Sequence, residues 1–304
     1  MFLSFMKIES KSPAITHQLQ PMPSQKVDAG VSATKTQSEN RLNKQSSQKR
    51  ILNWFSQAGV QGRDSTFKTS TSNEKIKRKK EMLAQRKLKN LENILGRALD
   101  FCLDGGKEED LDPDWFFSFV KMAEEIFSPA MQDLWGKIFA VETARPGSFS
   151  LKTLSTLKQL TQKDAQTFRH AVNLASRRKG ESTPKVLLGY YQKTSLWSMF
   201  RSHKEHQLNL AEFGLGYPDI LSLMDLGLIH NSEIESGELP IEVAAEWRCA
   251  GHTLYLTAKR SGTTLVYYKF TTTGAELCKL LTRKSQENYV KSLRTTLENA
   301  FTII

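Results

Sequence analysis

The chain has 304 residues, enough for one large or two ordinary domains, and a formal net charge of +11 that is very unevenly placed. Residues 1–100 hold 19 Lys/Arg against 8 Asp/Glu, whereas residues 101–304 hold 24 of each. No apolar run approaches the ~20 residues needed to span a bilayer. The three cysteines, Cys102, Cys249 and Cys278, are far apart and fit reduced thiols better than a disulfide framework, which sets aside disulfide-rich secreted classes. The apolar start Met1–Met6 stops at Lys7, without the leading charge and long core of a signal peptide, so the expected location is the cytoplasm.

Residues 1–73 read as a disordered basic arm. From residue 10 the composition is Ser, Thr, Gln, Lys and Asn with little apolar periodicity, too little to offset chain entropy by burial. One island, Ile51-Leu52-Asn53-Trp54-Phe55, predicts one or two helical turns packing weakly back on their own domain, with a partner or membrane surface as the functional alternative. From Glu74 to Asp100 the pattern is helical, with Leu88, Leu91, Leu95 and Leu99 on one stripe reinforced by Leu83 and Ile94. The first half of this helix carries the candidate nucleic-acid-binding residues Lys75, Lys77, Arg78, Lys79, Lys80, Arg86, Lys87 and Lys89. A dense basic face can lie along phosphates or an anionic membrane. The plain alternative is a solvated helix start, with only the Leu88–Leu99 half docking on the body. No aromatic interleaves the lysines, so stacking on bases is not indicated.

Asp112 is a good N-cap and Pro113 suits the first helical position. Phe116, Phe119, Val120, Ala123, Ile126 and Phe127 then fall at helical spacing. Ser128-Pro129 starts a second helix with a stripe of Met131, Leu134, Trp135, Ile138 and Phe139. Arg145-Pro146-Gly147 ends it, and Ser148 or Ser150 caps a third with Leu151, Leu154, Leu157 and Leu160 on one face. The strings Asp112-Pro113-Asp114-Trp115, Met131-Gln132-Asp133-Leu134-Trp135-Gly136-Lys137 and Pro146-Gly147-Ser148-Phe149-Ser150-Leu151 carry a resemblance. A weaker echo follows in Asp225–Ile229 and Thr272–Leu277. Over about residues 105 to 285 the chain resembles a bacterial family, met mostly in gammaproteobacteria, that is catalogued only as a domain of unknown function. The resemblance implies no activity and no catalytic residue.

Thr161 and Asp164 resemble a capping box for a fourth helix through Ala165, Phe168, Val172 and Ala175. Arg177-Arg178-Lys179 are expected in its last turn, complementing the helix dipole, with Gly180 as the stop. Val186–Tyr191 reads as a short strand or buried turn, and Ile241–Trp247 partly alternates. Beyond Tyr217 the order is helix, Gly227, Leu228-Ile229, then Thr253–Ala258 and Thr264–Phe270 as a hairpin around Lys259–Thr263, then Thr-Gly and a helix. A final amphipathic helix covers roughly Gln286 to Phe301. That is the order of a winged-helix domain. The would-be recognition helix exposes Asp219, Ser222 and Asp225, which suits protein contacts better than a phosphate backbone.

There is no phosphate loop, HExxH, CxxC or nucleophile elbow. His203 and His206 lack a second ligand cluster, and the carboxylates of Glu108–Asp114 and Glu233–Glu242 sit in turn-like polar sequence. No catalytic, cofactor or metal residue is assigned, and the expectation is a non-catalytic binding or regulatory protein. The expected fold is mainly α with a smaller α+β part: the arm over residues 1–73, a helical domain over 74–180 and a winged-helix-like domain over 181–304. Candidate partners are nucleic acid without sequence preference, and a protein or second copy at the winged-helix-like domain; an anionic membrane surface ranks below both. A defence or abortive-infection factor is the alternative by loose similarity, and a metal-dependent hydrolase or nuclease built from distant carboxylates ranks lower.

Overall fold

The computed structural model describes residues 32–60, 71–102, 110–193 and 206–304, with side chains from residue 44 onward. The chain divides into two compact units, Met1–Asn93 with Ser128–Ala130, and Ile94–Phe127 with Met131–Ile304.

The first unit contains α1 (Ser32–Gln57) and most of α2 (Ser72–Asp100). Helix α1 is longer than the one or two turns expected around the aromatic island. Its Lys-, Arg- and Gln-containing sequence tolerates helix while offering no apolar stripe to bury. Ile51, Leu52, Trp54 and Phe55 are accordingly exposed. Gly59, at φ +76, ends it, and a Cβ there would lie 3.3 Å from Lys79 Cγ. Residues 1–31 and 61–70 of the expected disordered arm lie outside the described residues.

In the second unit the three central helices form where their caps predict: α3 (Pro113–Ala123), α4 (Pro129–Ala144) and α5 (Leu151–Gln159). Asp112 Oδ1 accepts from Asp114 N at 2.9 Å, and Ser150 is the residue that caps α5. Trp135 and Trp115 are buried, at 0% and 7% exposed, and Trp115 Nε1 donates to Phe149 O at 2.7 Å. Phe119 stacks on Trp115 and tilts against Trp135, each at 5.2 Å. Phe127, expected inside, is exposed.

The expected apolar stripe of α2 is buried only in part. Ile94 is buried and Leu83 and Leu91 are half-buried, but Leu88, Leu95 and Leu99 are 59%, 56% and 67% exposed, and Asn90 and Ala98 are buried instead. Small residues decide this. A Cβ on Gly136 would lie 2.5 Å from Arg97 Cβ and 2.9 Å from Ala98 N, so α4 meets α2 backbone to backbone where side chains are shortest. Arg97 Nε and Asp133 Oδ1 also form an ion pair at 2.8 Å.

Thr161 and Asp164 do form a reciprocal capping box on α6 (Gln162–Leu174). Helix α6 stops three residues before Arg177, however, and Ser176–Arg178 is a strand, β1. The dipole role expected for Arg177, Arg178 and Lys179 therefore does not arise. Ladder hydrogen bonds to two neighbouring strands replace the helical turn.

The remaining strands are β2 (Lys185–Gln192), β3 (His206–Gln207), β4 (Ile234–Glu235), β5 (Ala245–Cys249), β6 (His252–Ala258), β7 (Thr263–Lys269) and β8 (Phe301–Ile303). Among the described residues they make one antiparallel sheet in the order β4-β7-β2-β1-β5-β6-β8, with β3 paired to β2 beside it. Strands β6 and β7, expected as a hairpin pair, are not partners: β6 pairs with β5 and β8, and β7 with β2 and β4. Strands β2 and β7 are buried along six consecutive residues each, so both faces are covered and neither strand alternates. Strand β6 alternates buried and exposed residues along most of its length.

Helices α7 (Tyr217–Asp225), α8 (Thr272–Cys278) and α9 (Glu287–Leu297) complete the unit. The helix, Leu228-Ile229 and Thr-Gly helix of the winged-helix expectation are present. Its hairpin is not, since those strands belong to a far wider sheet. Gly274 lets α8 touch Leu228, whose carbonyl oxygen would lie 2.0 Å from an added Cβ. Helices α6 and α9 pack on β2, and Tyr289 donates to Leu187 O at 2.7 Å.

Candidate nucleic-acid interface

Helix α2 opens with Thr71 and Glu74 capping each other. Thr71 N donates to Glu74 Oε2 at 3.0 Å and Glu74 N to Thr71 Oγ1 at 3.4 Å. The cationic stretch follows at once. Lys75, Lys77, Arg78, Lys79, Lys80 and Lys89 are exposed, while Arg86 and Lys87 are half-buried. At 1.5 Å per residue, Lys75 to Lys89 spans about 21 Å. Helical spacing puts Lys75, Lys79, Arg86 and Lys89 along one side. Met82, Gln85, Arg86 and Lys89 line a shallow depression of about 200 Å³ there. Among the described residues, none of Lys75, Lys77, Lys79, Lys80, Arg86 or Lys89 has a carboxylate within ion-pair distance. Lys44, Lys49 and Arg50 of α1 are exposed as well. All eight candidate residues thus share one helix. Of the α7 residues expected to face outward, Asp225 is exposed, whereas Asp219 and Ser222 are half-buried: Asp219 accepts from Gly216 N at 3.0 Å and from Thr167 of α6, and Ser222 donates to Asp164.

Carboxylates do converge elsewhere. Glu142 is buried on α4 and accepts from Gly147 N at 2.6 Å and Phe149 N at 2.8 Å. Burial, and more weakly the nearby charge of Glu276, raise its pKa against those backbone donors. Glu276 Oε2 accepts from Ser150 N, Ser150 Oγ and Thr153 Oγ1 at 2.8, 3.1 and 2.6 Å. These bonds fasten the Pro146–Ser150 turn and the start of α5 to α8. All of these bonds come from the protein's own donors. The sequence did carry a signal for Glu142, a carboxylate four residues beyond Ile138 on an apolar stripe; nothing local marks Glu276.

Other chemistry is sparse. Among the described residues no group of three or more His, Cys, Asp or Glu is placed to hold a metal ion. A depression of about 100 Å³ is lined by Tyr190, Tyr191, Gln207, Glu233, Glu235 and Val266. Its Glu233 already accepts from Gln207 at 3.2 Å and Tyr268 at 3.0 Å. His206 stacks on Tyr190 at 5.0 Å; His203 lies outside the described residues. Burial pushes the Cys249 thiol up to about 11 and Cys278 up to about 12, which keeps both neutral and unreactive. No described helix is long and apolar enough to cross a membrane.

Residues 74–294 match the family model described as protein of unknown function (DUF2806). No curated protein and no solved structure matches the chain.

Proposed function

We propose that this chain, which belongs to the DUF2806 family of proteins of unknown function, is a cytoplasmic, non-catalytic protein that binds nucleic acid without sequence preference through the first half of α2. The observation that supports this reading is the group of eight cations between Lys75 and Lys89, six of them exposed, with Glu81 as the one carboxylate among them. It lies in a chain whose residues 101–304 have no net charge. Contacts of this kind are to phosphates and carry no base information. Neutralising about five phosphates would make log affinity fall with log salt at a slope of about −4 to −5. Gel shifts and a salt titration with duplex DNA and RNA test this. Replacing Lys77, Arg78, Lys79 and Lys80 by Ala is expected to flatten the slope and weaken binding to every sequence alike. Absence of a complex at low salt refutes the reading.

A second reading, docking on a protein partner, is favoured by Ile51, Leu52, Trp54 and Phe55, which α1 exposes together. Anionic vesicles run beside the nucleic acids separate either reading from membrane attachment. Vesicle binding that Trp54→Ala removes would favour the membrane.

A further inference from the structure

Two arginines face each other across the sheet, and a third lies on a segment anchored beside Asn173 and Ala250. Arg177 on β1 and Arg248 on β5 are direct partners in the ladder. Opposite residues on neighbouring strands point to the same face, and like charges in that position repel. Arg283 arrives from the segment between α8 and α9. Burial lowers its pKa, Cys278 opposes that, and the Arg177 charge adds a weaker lowering effect. Both Arg177 and Arg283 act on the Cys278 thiol, but that group stays neutral and supplies no counter-charge. Glu246, two residues from Arg248 on the same face, is held by Lys179 at 2.6 Å. Among the described residues none of the three arginines has an ion-pair partner. Arg177 Nε is buried and hydrogen-bonds to nothing. A buried donor next to unanswered positive charge is a place where an acceptor belongs.

The frame around them is well fastened. Lys284 N donates to Asn173 Oδ1 at 2.9 Å, and Gln286 N to Ala250 O at 3.4 Å. Ser285 Oγ and His252 Nε2 are 3.1 Å apart. The turn between β5 and β6 holds Ala250 at φ +44, a strained position for a residue with a side chain. Strand β1, strand β5 and this anchored segment therefore present the guanidinium groups from fixed backbone.

We propose that Arg177, Arg248 and Arg283 form a seat for a phosphate-class oxyanion. The guanidinium forks supply paired N–H donors that match its oxygens. The anion gives Arg177 Nε an acceptor and relieves the repulsion between β1 and β5. The seat does not depend on α2 and stands whether or not α2 binds nucleic acid.

The test uses the full chain in three forms: wild type, Arg177→Gln with Arg283→Gln, and the α2 quadruple alanine variant. Thermal unfolding is followed in sodium phosphate and in sodium chloride of equal ionic strength, and phosphate affinity is measured by calorimetry. Wild type and the α2 variant are expected to melt higher in phosphate than in chloride, because the anion binds only the folded state. The double glutamine variant is expected to lose that rise and about tenfold or more in phosphate affinity. It should melt no lower than wild type in chloride, since it removes like-charge repulsion. A short DNA duplex is run in parallel. A wild-type rise with duplex but not with phosphate, kept by the α2 variant and lost by the double variant, assigns the seat to a phosphodiester. The proposal is overturned if wild type responds to neither, or if the double variant responds like wild type. It is also overturned if the double variant melts well below wild type in chloride, which would make the arginines structural. Loss of duplex binding in the α2 variant with the phosphate rise intact leaves the two readings separately decided.

Discussion

Replacing Trp135 by Ala removes the largest fully buried side chain of the helical layer. Its ring meets Phe119 at 5.2 Å, and Phe119 in turn touches Trp115 and Phe139, so the void opens at the edge of a continuous aromatic cluster. A truncation of that size costs about 3–5 kcal/mol, because the surrounding helices relax only partly into the cavity. For a body of this size each kcal/mol moves the melting temperature by about 2–4 °C, so the expected drop is about 6–20 °C. Trp135 Nε1 is buried without a hydrogen-bond partner, and such a donor costs about 1–3 kcal/mol to hide. Trp135→Phe removes that donor along with part of the ring, so its net cost should be only about 0–2 kcal/mol. Near-ultraviolet circular dichroism through a thermal ramp reports the aromatic cluster directly. An alanine variant that melts with wild type, or a phenylalanine variant as weak as the alanine one, refutes this account of the core.

Gly274→Ala places a methyl group 2.0 Å from Leu228 O, where neither backbone can yield cheaply, so a loss of about 3 kcal/mol or more is expected in urea unfolding. Glu142 has a folded-state pKa raised above its usual 4.5, so its stabilising contribution is complete below that value and is lost as pH rises through the raised one. The stability of Glu142→Gln relative to wild type should therefore climb with pH; a flat difference refutes the burial argument. Asp164 is held below its usual 3.8 by the Thr161 hydroxyl and amide, and its contribution is lost as pH falls. Asp164→Asn relative to wild type should show the opposite slope.

What the sequence determined by itself is what its residues settle within a few positions of one another. Asp112-Pro113, Ser150, and Thr161 with Asp164 start their helices because each cap bonds an amide two or three residues away. Trp115 and Trp135 are inside because their helices carry apolar stripes. The cations of α2 are legible because charge needs no partner to be counted.

Only the tertiary structure decided which segments meet. The segments Thr253–Ala258 and Thr264–Phe270 read correctly as strands, yet a turn sequence alone could not show that they pair with other strands rather than with each other. Arg177 and Arg178 follow a helix in sequence and look helical until β2 and β5 supply a ladder. Leu95 and Leu99 of α2 lost their expected burial to Ala98 because Gly136 allows a closer approach there. Glu276 holds the start of α5 from 126 residues away, and Arg177 meets Arg248 across a sheet. Such meetings depend on loop closure and on the packing of the whole unit, and no local spacing encodes them.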